Sequence, residues 1–308
     1  MSKLITAAGA DRGHPGETRF VKKRKVIINA DDFGISMGVN RAIIELISAG
    51  VVTSASAMAN MPDCKDLREL KNGPAGTGVH INLTVGSPLS DRAMVRSLVN
   101  GSGRFLKLPG LLERMRRGQL SAEEVELEMT SQVVRLVDMG VRPDHINSHE
   151  SILKYPFFME AAKKIAGEYG IPAVRTYTPR KFDISRLLHP RKLAISLYLP
   201  YQKYLWKKSG FRVTDKKDSL LKPGLQYHDG IRYLAEVFGD LPEGVLEFAV
   251  HPGYRGDGDE ALEGYADERE VELSALSSNE FRKILKQSGA ELIRFSDATK
   301  DFLERGAA

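Results

Sequence analysis

The chain has 308 residues, 42% of them hydrophobic and 28% charged, which is the balance of a globular protein with room for one large α/β domain or two smaller ones. No apolar run reaches the roughly 18–20 residues needed to span a bilayer, and the single cysteine, Cys64, excludes an intramolecular disulfide framework and a cysteine-based zinc knuckle. The net charge is +5, but residues 1–24 carry six Lys/Arg against two Asp/Glu, so the high pI belongs mostly to that segment and does not argue for nucleic-acid binding.

Residues 1–24 are Gly-rich and polar, lack periodicity, and end in the basic cluster Lys22, Lys23 and Arg24. They read as a flexible tail. Without the apolar core of a secretory signal, a cytoplasmic location is expected. One domain is predicted over 25–308. It begins with the apolar run Lys25–Asn29, which resembles a buried parallel strand. A helix is predicted over 38–49, with Ile43, Ile44 and Ile47 on one side and Gly50 as its stop. Strands are predicted over 51–57 and 78–83. A long Gly- and Pro-bearing connection over 84–119 reads as a lid or substrate loop.

Ser121-x-x-Glu124 then forms a capping-box pattern ahead of the apolar series Val125, Met129, Val133 and Leu136, and Gly140 ends that helix. A strand is predicted at 144–148, a helix at 157–169 and a strand at 173–177. Residues 184–209 read as a helix broken near Pro200. Val245–Val250 and 291–295 read as the last strands. Strands alternating with helices predict an α/β fold with a mainly parallel sheet, open or closed into a barrel.

Four polar clusters fall at the expected C-terminal ends of strands, the edge where parallel α/β folds build active sites. Asp31-Asp32-Phe33-Gly34 follows the first strand. Two adjacent carboxylates after an apolar strand are costly unless a cation or hydrogen bonds compensate. A polar turn with an Asp as helix cap accounts for the same residues. His80 lies in the third strand, where a hydrogen-bonded core histidine is the alternative. In an extended Asp144–Glu150 segment, positions 145, 147 and 149 share one face. His251 follows Val245–Val250 directly. One Asp and two His are ordinary ligands for a divalent ion, which lowers the pKa of its water and polarises a carbonyl.

Asn29-Ala30-Asp31-Asp32-Phe33-Gly34, Gly78-Val79-His80, His145-Ile146-Asn147-Ser148-His149 and His251-Pro252-Gly253, in that order, resemble the YdjC family of carbohydrate deacetylases, and Val52–Ser56 fits its second strand. The resemblance covers roughly residues 25–300. It implies a distorted TIM-like (β/α) barrel, a hydrolase that removes an N-acetyl group from an amino sugar, oligosaccharide or glycolipid, and one divalent metal ion (Mg or Zn). It implies metal ligands at Asp32, His80 and His149, a general base at Asp31, a general acid at His251, and a role beside the base for Arg175. For Arg175 a surface ion pair is the competing role. A homodimer is a family-level expectation. Glu150, Ser151 and Leu153 stand where the family usually carries further histidines, and Asn147 where it often has Asp, which puts substrate contacts in doubt.

From Arg180 to Lys222 there are twelve Lys/Arg against three Asp/Glu, together with Tyr198, Tyr201, Tyr204, Trp206 and Phe211. This region reads either as a solvated helix packing its aromatics on the barrel or as a platform for an anionic membrane or lipid-linked glycan. Two other functions stay open: a metal-dependent phosphoesterase or other amidohydrolase on a similar barrel, and a non-catalytic, metal-stabilised glycan-binding protein.

Overall fold

The first strand, β1 (Lys25–Phe33), is longer than its apolar core suggests and carries Asp31 and Asp32 at its C-terminal end, both buried. It belongs to a computed structural model that describes residues 24–181, 183–184, 188–256 and 265–298. The tail expected over 1–24 lies, apart from Arg24, outside the described residues, as does His14. Helix α1 (Met37–Ser48) follows, capped by the Ser36 hydroxyl, which accepts from the Val39 N–H, and ended at Gly50 in a left-handed conformation (φ 70°). Then come β2 (Ser54–Ala57), α2 (Arg68–Asn72) and β3 (Gly76–Ile81).

The connection expected to be an unstructured lid contains helix α3 (Leu108–Arg116) and a bridge between Val99 and Phe105. Val95, Leu98, Phe105 and Leu111 enter the core, and Arg114 donates to the carbonyls of Arg96, Ser97 and Val99. Apolar burial and satisfied backbone groups make this segment a packed part of the domain. The Gly and Pro residues obscured that in the sequence.

Helix α4 (Ala122–Asp138) begins as expected, with the Glu124 N–H donating to Ser121 Oγ at 3.1 Å. The reciprocal half of the box is absent: Glu124 accepts from the Ser97 N–H instead. After it come β4 (His145–Ser148), α5 (Pro156–Glu168) and β5 (Ala173–Val174). Helix α6 (Pro190–Lys208) starts later than expected and runs through the exposed Pro200 without breaking, anchored by buried Leu199, Gln202 and Trp206. Two short strands inside the basic region, β6 (Arg212–Val213) and β7 (Lys216–Ser219), were not anticipated. The chain ends with α7 (Tyr227–Gly239), β8 (Val245–Val250), α8 (Ala266–Ser277), α9 (Asn279–Ser288) and β9 (Glu291–Leu292). Among the described residues no helix is long and apolar enough to cross a membrane.

The strands form one curled sheet in the order β6-β5-β4-β3-β2-β1-β8-β7, with β9 beside the start of β1, and all of its strand pairs are parallel. The curl is bridged across its gap: Lys217 N–H donates to Thr178 O at 2.9 Å and Arg180 N–H to Lys217 O at 3.1 Å. The result is the distorted TIM-like barrel that the family resemblance implies. Its interior is polar near the C-terminal edge, and beneath that edge Gly78 leaves room for the His145 ring. A Cβ at that position would lie 2.4 Å from the His145 ring, which is stacked on Phe295 at 4.0 Å.

Candidate active site

Every expected site residue lies at the C-terminal edge of the barrel. Asp31 and Asp32 end β1, His80 is in β3, His149 follows β4, Arg175 follows β5, and His251 follows β8. With Lys217, Tyr265 and Arg269, all six line a cavity of about 190 Å³. None of the residues 84–119 lines it.

Asp32 takes a left-handed backbone conformation (φ 67°), uncommon for a residue with a side chain and tolerated best by Asn and Asp. Gly34 beside it (φ 100°) packs against Cys64, where a Cβ would meet the Cys64 Cβ at 2.9 Å. This tight turn points the Asp32 carboxylate inward. Its Oδ1 lies 3.1 Å from His80 Nε2 and 2.9 Å from His149 Nδ1. One potential ligand atom from each of Asp32, His80 and His149 falls within 4.8 Å of the others, so the three can close around one ion. Asp32 Oδ2 accepts from Arg269. Burial opposes the Asp32 charge, but Arg269 and His149 outweigh it and hold the pKa well below the ordinary value.

His80 Nδ1 donates to Asn147 Oδ1 at 2.7 Å, leaving the Nε2 lone pair for a metal. The Asn147 amide nitrogen donates to Asp31 Oδ1 at 3.2 Å and to Ser56 at 2.7 Å. The reverse amide orientation would set two acceptor oxygens against each other. His149, where the chain leaves β4, is followed by two left-handed residues, Glu150 (φ 50°) and Ser151 (φ 55°). Of the three residues that stand where the family usually carries further histidines, Glu150 and Ser151 line the cavity, whereas Leu153 is buried in the core.

Asp31 sits beside this group. Arg175, buried rather than in a surface ion pair, grips both of its oxygens at 2.6 and 2.7 Å and holds Glu247 at 2.6 Å. Asn29 also donates to Asp31 Oδ1, at 2.8 Å. Burial alone would raise the Asp31 pKa. The charge and hydrogen bonds of Arg175 do most to reverse that, and Asp31 is held ionised. His251 Nε2 lies 3.5 Å from Asp31 Oδ2. Burial, reinforced by Arg269 and Lys217, lowers the His251 pKa to about 4 against the pull of Asp31 and Asp32. His145 lies beneath the site, joined to Asp144 at 2.7 Å and to Ser56 at 3.1 Å. Its histidine chemistry is therefore spent on supporting the floor of the barrel.

Arg269 and Glu272 of α8 had no signal in the sequence. Charged residues three apart on a helix read as solvent-facing, yet both are buried. Glu272 accepts the His251 backbone N–H at 2.9 Å. Glu247 could have been found, as a lone carboxylate inside the otherwise apolar Val245–Val250.

The YdjC-like protein family model matches residues 25–287. A carbohydrate deacetylase of Brevibacillus brevis is 31% identical over 288 residues, covering 89% of this chain and 99% of that protein. A carbohydrate deacetylase 2 of Listeria innocua is 31% identical, covering 90% and 99%. A crystal structure from Enterococcus faecalis V583, described as a cellobiose-phosphate cleavage protein, superposes with a TM-score of 0.70 at 26% identity, covering 89% of this chain and 98% of that one.

Proposed function

The chain belongs to the YdjC-like protein family, and from that premise we propose that it is a metal-dependent carbohydrate deacetylase, which hydrolyses the N-acetyl group of an amino sugar, oligosaccharide or glycolipid and releases acetate. The observation that carries this reading is the grouping of Asp32, His80 and His149 beside a second carboxylate, Asp31, that Arg175 keeps ionised. Of the two ions expected, Zn and Mg, the donor set of two imidazoles and one carboxylate suits Zn, whereas Mg would rely on Asp32 and water. Bound there, such an ion would polarise the acetyl carbonyl and acidify a water molecule.

Asp31 is the general base. Its Oδ1 accepts from Asn29, Asn147 and Arg175, whereas Oδ2 accepts from Arg175 alone and faces His251, so Oδ2 takes the proton of the attacking water. Arg175 aligns the carboxylate and makes it a weak base, from which the proton moves on. His251, with a pKa of about 4, enters the reaction neutral. The proton it gives the leaving amine therefore comes from Asp31 across the 3.5 Å gap to Nε2. Water adds to the acetyl carbon, the C–N bond breaks with its electron pair going to nitrogen, the relayed proton completes the free amine, and the nascent acetic acid gives up water's second proton to leave acetate.

Acetate release from a panel of N-acetylglucosamine oligomers, abolished by a chelator and restored by Zn or Mg, tests this reading. Glycan binding with no acetate from any oligomer would support the non-catalytic alternative instead. A two-metal phosphoesterase fits less well, since among the described residues a single three-ligand group comes together.

A peripheral contact with an anionic membrane or lipid-linked glycan is proposed for the outer face of α6. Trp206 is buried against Phe211, but Leu197, Tyr201 and Tyr204 are exposed near Lys207 and Lys208. Cosedimentation with anionic vesicles at low salt tests it, and an unbound protein would end it.

A further inference from the structure

Beneath the catalytic cavity a carboxylate, an imidazole and a hydroxyl stand in a row. Asp144 Oδ1 lies 2.7 Å from His145 Nδ1, and His145 Nε2 lies 3.1 Å from Ser56 Oγ. The order is that of a nucleophilic serine with its base. Ser56 and His145 are fully buried, however, and neither they nor Asp144 line the cavity. Ser56 meets no substrate, so this group acts through its hydrogen bonds alone.

Those bonds have one direction. Ser56 Oγ accepts from the amide nitrogens of Asn29 at 2.8 Å and Asn147 at 2.7 Å. A hydroxyl oxygen has two lone pairs, and both are thereby filled. Its single proton goes to His145 Nε2 at 3.1 Å, because Asp31 Oδ1, at 3.5 Å, lies beyond the usual range of an O–H···O bond. His145 Nε2 is therefore an acceptor, and Nδ1 carries the ring proton. The far end agrees: Asp144 accepts at both oxygens, from Nδ1 and, at 3.2 Å, from the Ser296 backbone N–H. The ring is held in place as well. Phe295 stacks on it at 4.0 Å, and Gly78 backs it so closely that a Cβ there would lie 2.4 Å from Nε2.

We propose that Asp144, His145 and Ser56 form a polarised relay that positions Asp31 from beneath. Asp144 sets the His145 tautomer, and the tautomer turns the Ser56 hydroxyl away from Asp31. The Ser56 lone pairs then anchor one N–H of each amide, which aims the second N–H of Asn29 and of Asn147 at Asp31 Oδ1. With Oδ1 held by both amides and by Arg175, Oδ2 is the oxygen left to take a proton. That Asp31 is the base rests on the deacetylase reading, whereas the direction of the relay does not. All three are positioning residues, since none touches the reacting atoms.

Neutron diffraction from the full-length wild-type protein tests the direction. It should place hydrogen on His145 Nδ1 and none on Nε2, with the Ser56 hydroxyl hydrogen aimed at Nε2. Hydrogen on Nε2, or a Ser56 hydroxyl aimed at Asp31, overturns the relay. Should a variant fail to fold, these positions still decide.

The variants Ser56→Ala and Asp144→Asn read the consequence. The first removes the hub. The second leaves a side chain that accepts at one atom only: if that atom keeps the Ser296 N–H, the amide faces His145 Nδ1 and drives the ring proton to Nε2, against a Ser56 oxygen with no lone pair to spare. Each should lower kcat by at least about tenfold, part of the roughly 10²–10⁴-fold that a positioned base contributes. KM should not change, because substrate reaches none of the relay. Zinc affinity should fall by less than the roughly 10–100-fold loss that follows removal of a direct partner of a ligating histidine, since His80 keeps Asn147. Unchanged kcat in both variants, or a loss confined to KM, overturns the positioning role. Zinc affinity that drops in step with kcat overturns it in favour of support for His80. The expected hydrogen positions in a protein that releases no acetate from any N-acetylglucosamine oligomer uphold the relay and refute the deacetylase reading alone.

Discussion

Asn147 accepts a hydrogen bond from His80 Nδ1 at 2.7 Å and, with its amide nitrogen, donates to Asp31 Oδ1 at 3.2 Å. One neutral side chain thus fixes the tautomer of a proposed metal ligand and supports the proposed base. Partners of ligating histidines typically contribute 10–100-fold to metal affinity. Asn147→Ala should therefore weaken zinc binding by about that factor, read by competition with a chromogenic chelator, with the far-UV CD spectrum unchanged. Asn147→Asp should keep the His80 contact but set a carboxylate against Asp31. Its expected outcome is near-normal zinc affinity with a raised Asp31 pKa, visible as an acid limb in kcat/KM at higher pH. Equal zinc affinity in the Ala variant would remove Asn147 from this role.

His149 couples metal binding to pH. In the metal-free protein burial lowers its pKa, but the Asp32 charge and hydrogen bond outweigh burial and raise it above the ordinary histidine value. The proton must leave before the ring can bind an ion. Below the raised pKa, zinc affinity should fall tenfold for each pH unit, and calorimetry in buffers of different ionisation enthalpy should register about one proton released near pH 6.5. In His149→Ala both the residual affinity and the proton count should drop. Zinc binding without proton release at that pH would exclude His149 as a ligand.

Asp31→Asn should bind zinc normally and lose turnover by roughly 10²–10⁴-fold, the usual contribution of general acid–base catalysis. Arg175 loses its charged partner in this variant but keeps Glu247, so the fold should survive. His251→Ala should lower kcat most for poor leaving groups and least for an activated anilide, which needs little protonation. A uniform loss across leaving groups would argue that His251 positions substrate rather than protonating the amine.

The plan of the candidate site is legible in the sequence because each proposed ligand lies close to the C-terminal end of a strand, and parallel strands bring those ends together. Gly34 could be read as a close approach, and it faces Cys64 at a positive φ. The residues beneath and behind the site were not legible. Lys217 faces the cavity because β7 pairs with β8 in the register Lys217 to Glu247, yet Lys216-Lys217-Asp218-Ser219 shows no apolar alternation to announce a strand. Trp206 stood among basic residues that suggested a surface, but Phe211 covers it edge-on at 5.2 Å. Arg269 and Glu272 break the rule that charges on a helix face water, because a carboxylate from β1 and a backbone N–H from the end of β8 meet them inside.

Glu272 makes stability depend on pH in a direction opposite to most carboxylates. Burial raises its pKa to about 8, opposed incompletely by the His251 N–H and Arg269. Its Oε2 accepts that N–H at 2.9 Å, while Oε1 is buried without a partner among the described residues. The folded protein thus holds a proton that the unfolded chain, with an ordinary glutamate, has released. This contribution to stability is complete below the ordinary value of 4.5 and is lost as pH rises through about 8. Glutamine imitates the neutral acid and keeps an acceptor for the His251 N–H. Glu272→Gln should therefore melt with the wild type at pH 5 and above it at pH 9, by an amount on the order of a few kcal/mol. Thermal denaturation of both proteins across that range, in chelator to separate the effect from metal binding, reads the difference directly. A variant less stable than the wild type at pH 9 would mean that Glu272 is ionised in the fold and pairs with Arg269 as a structural ion pair.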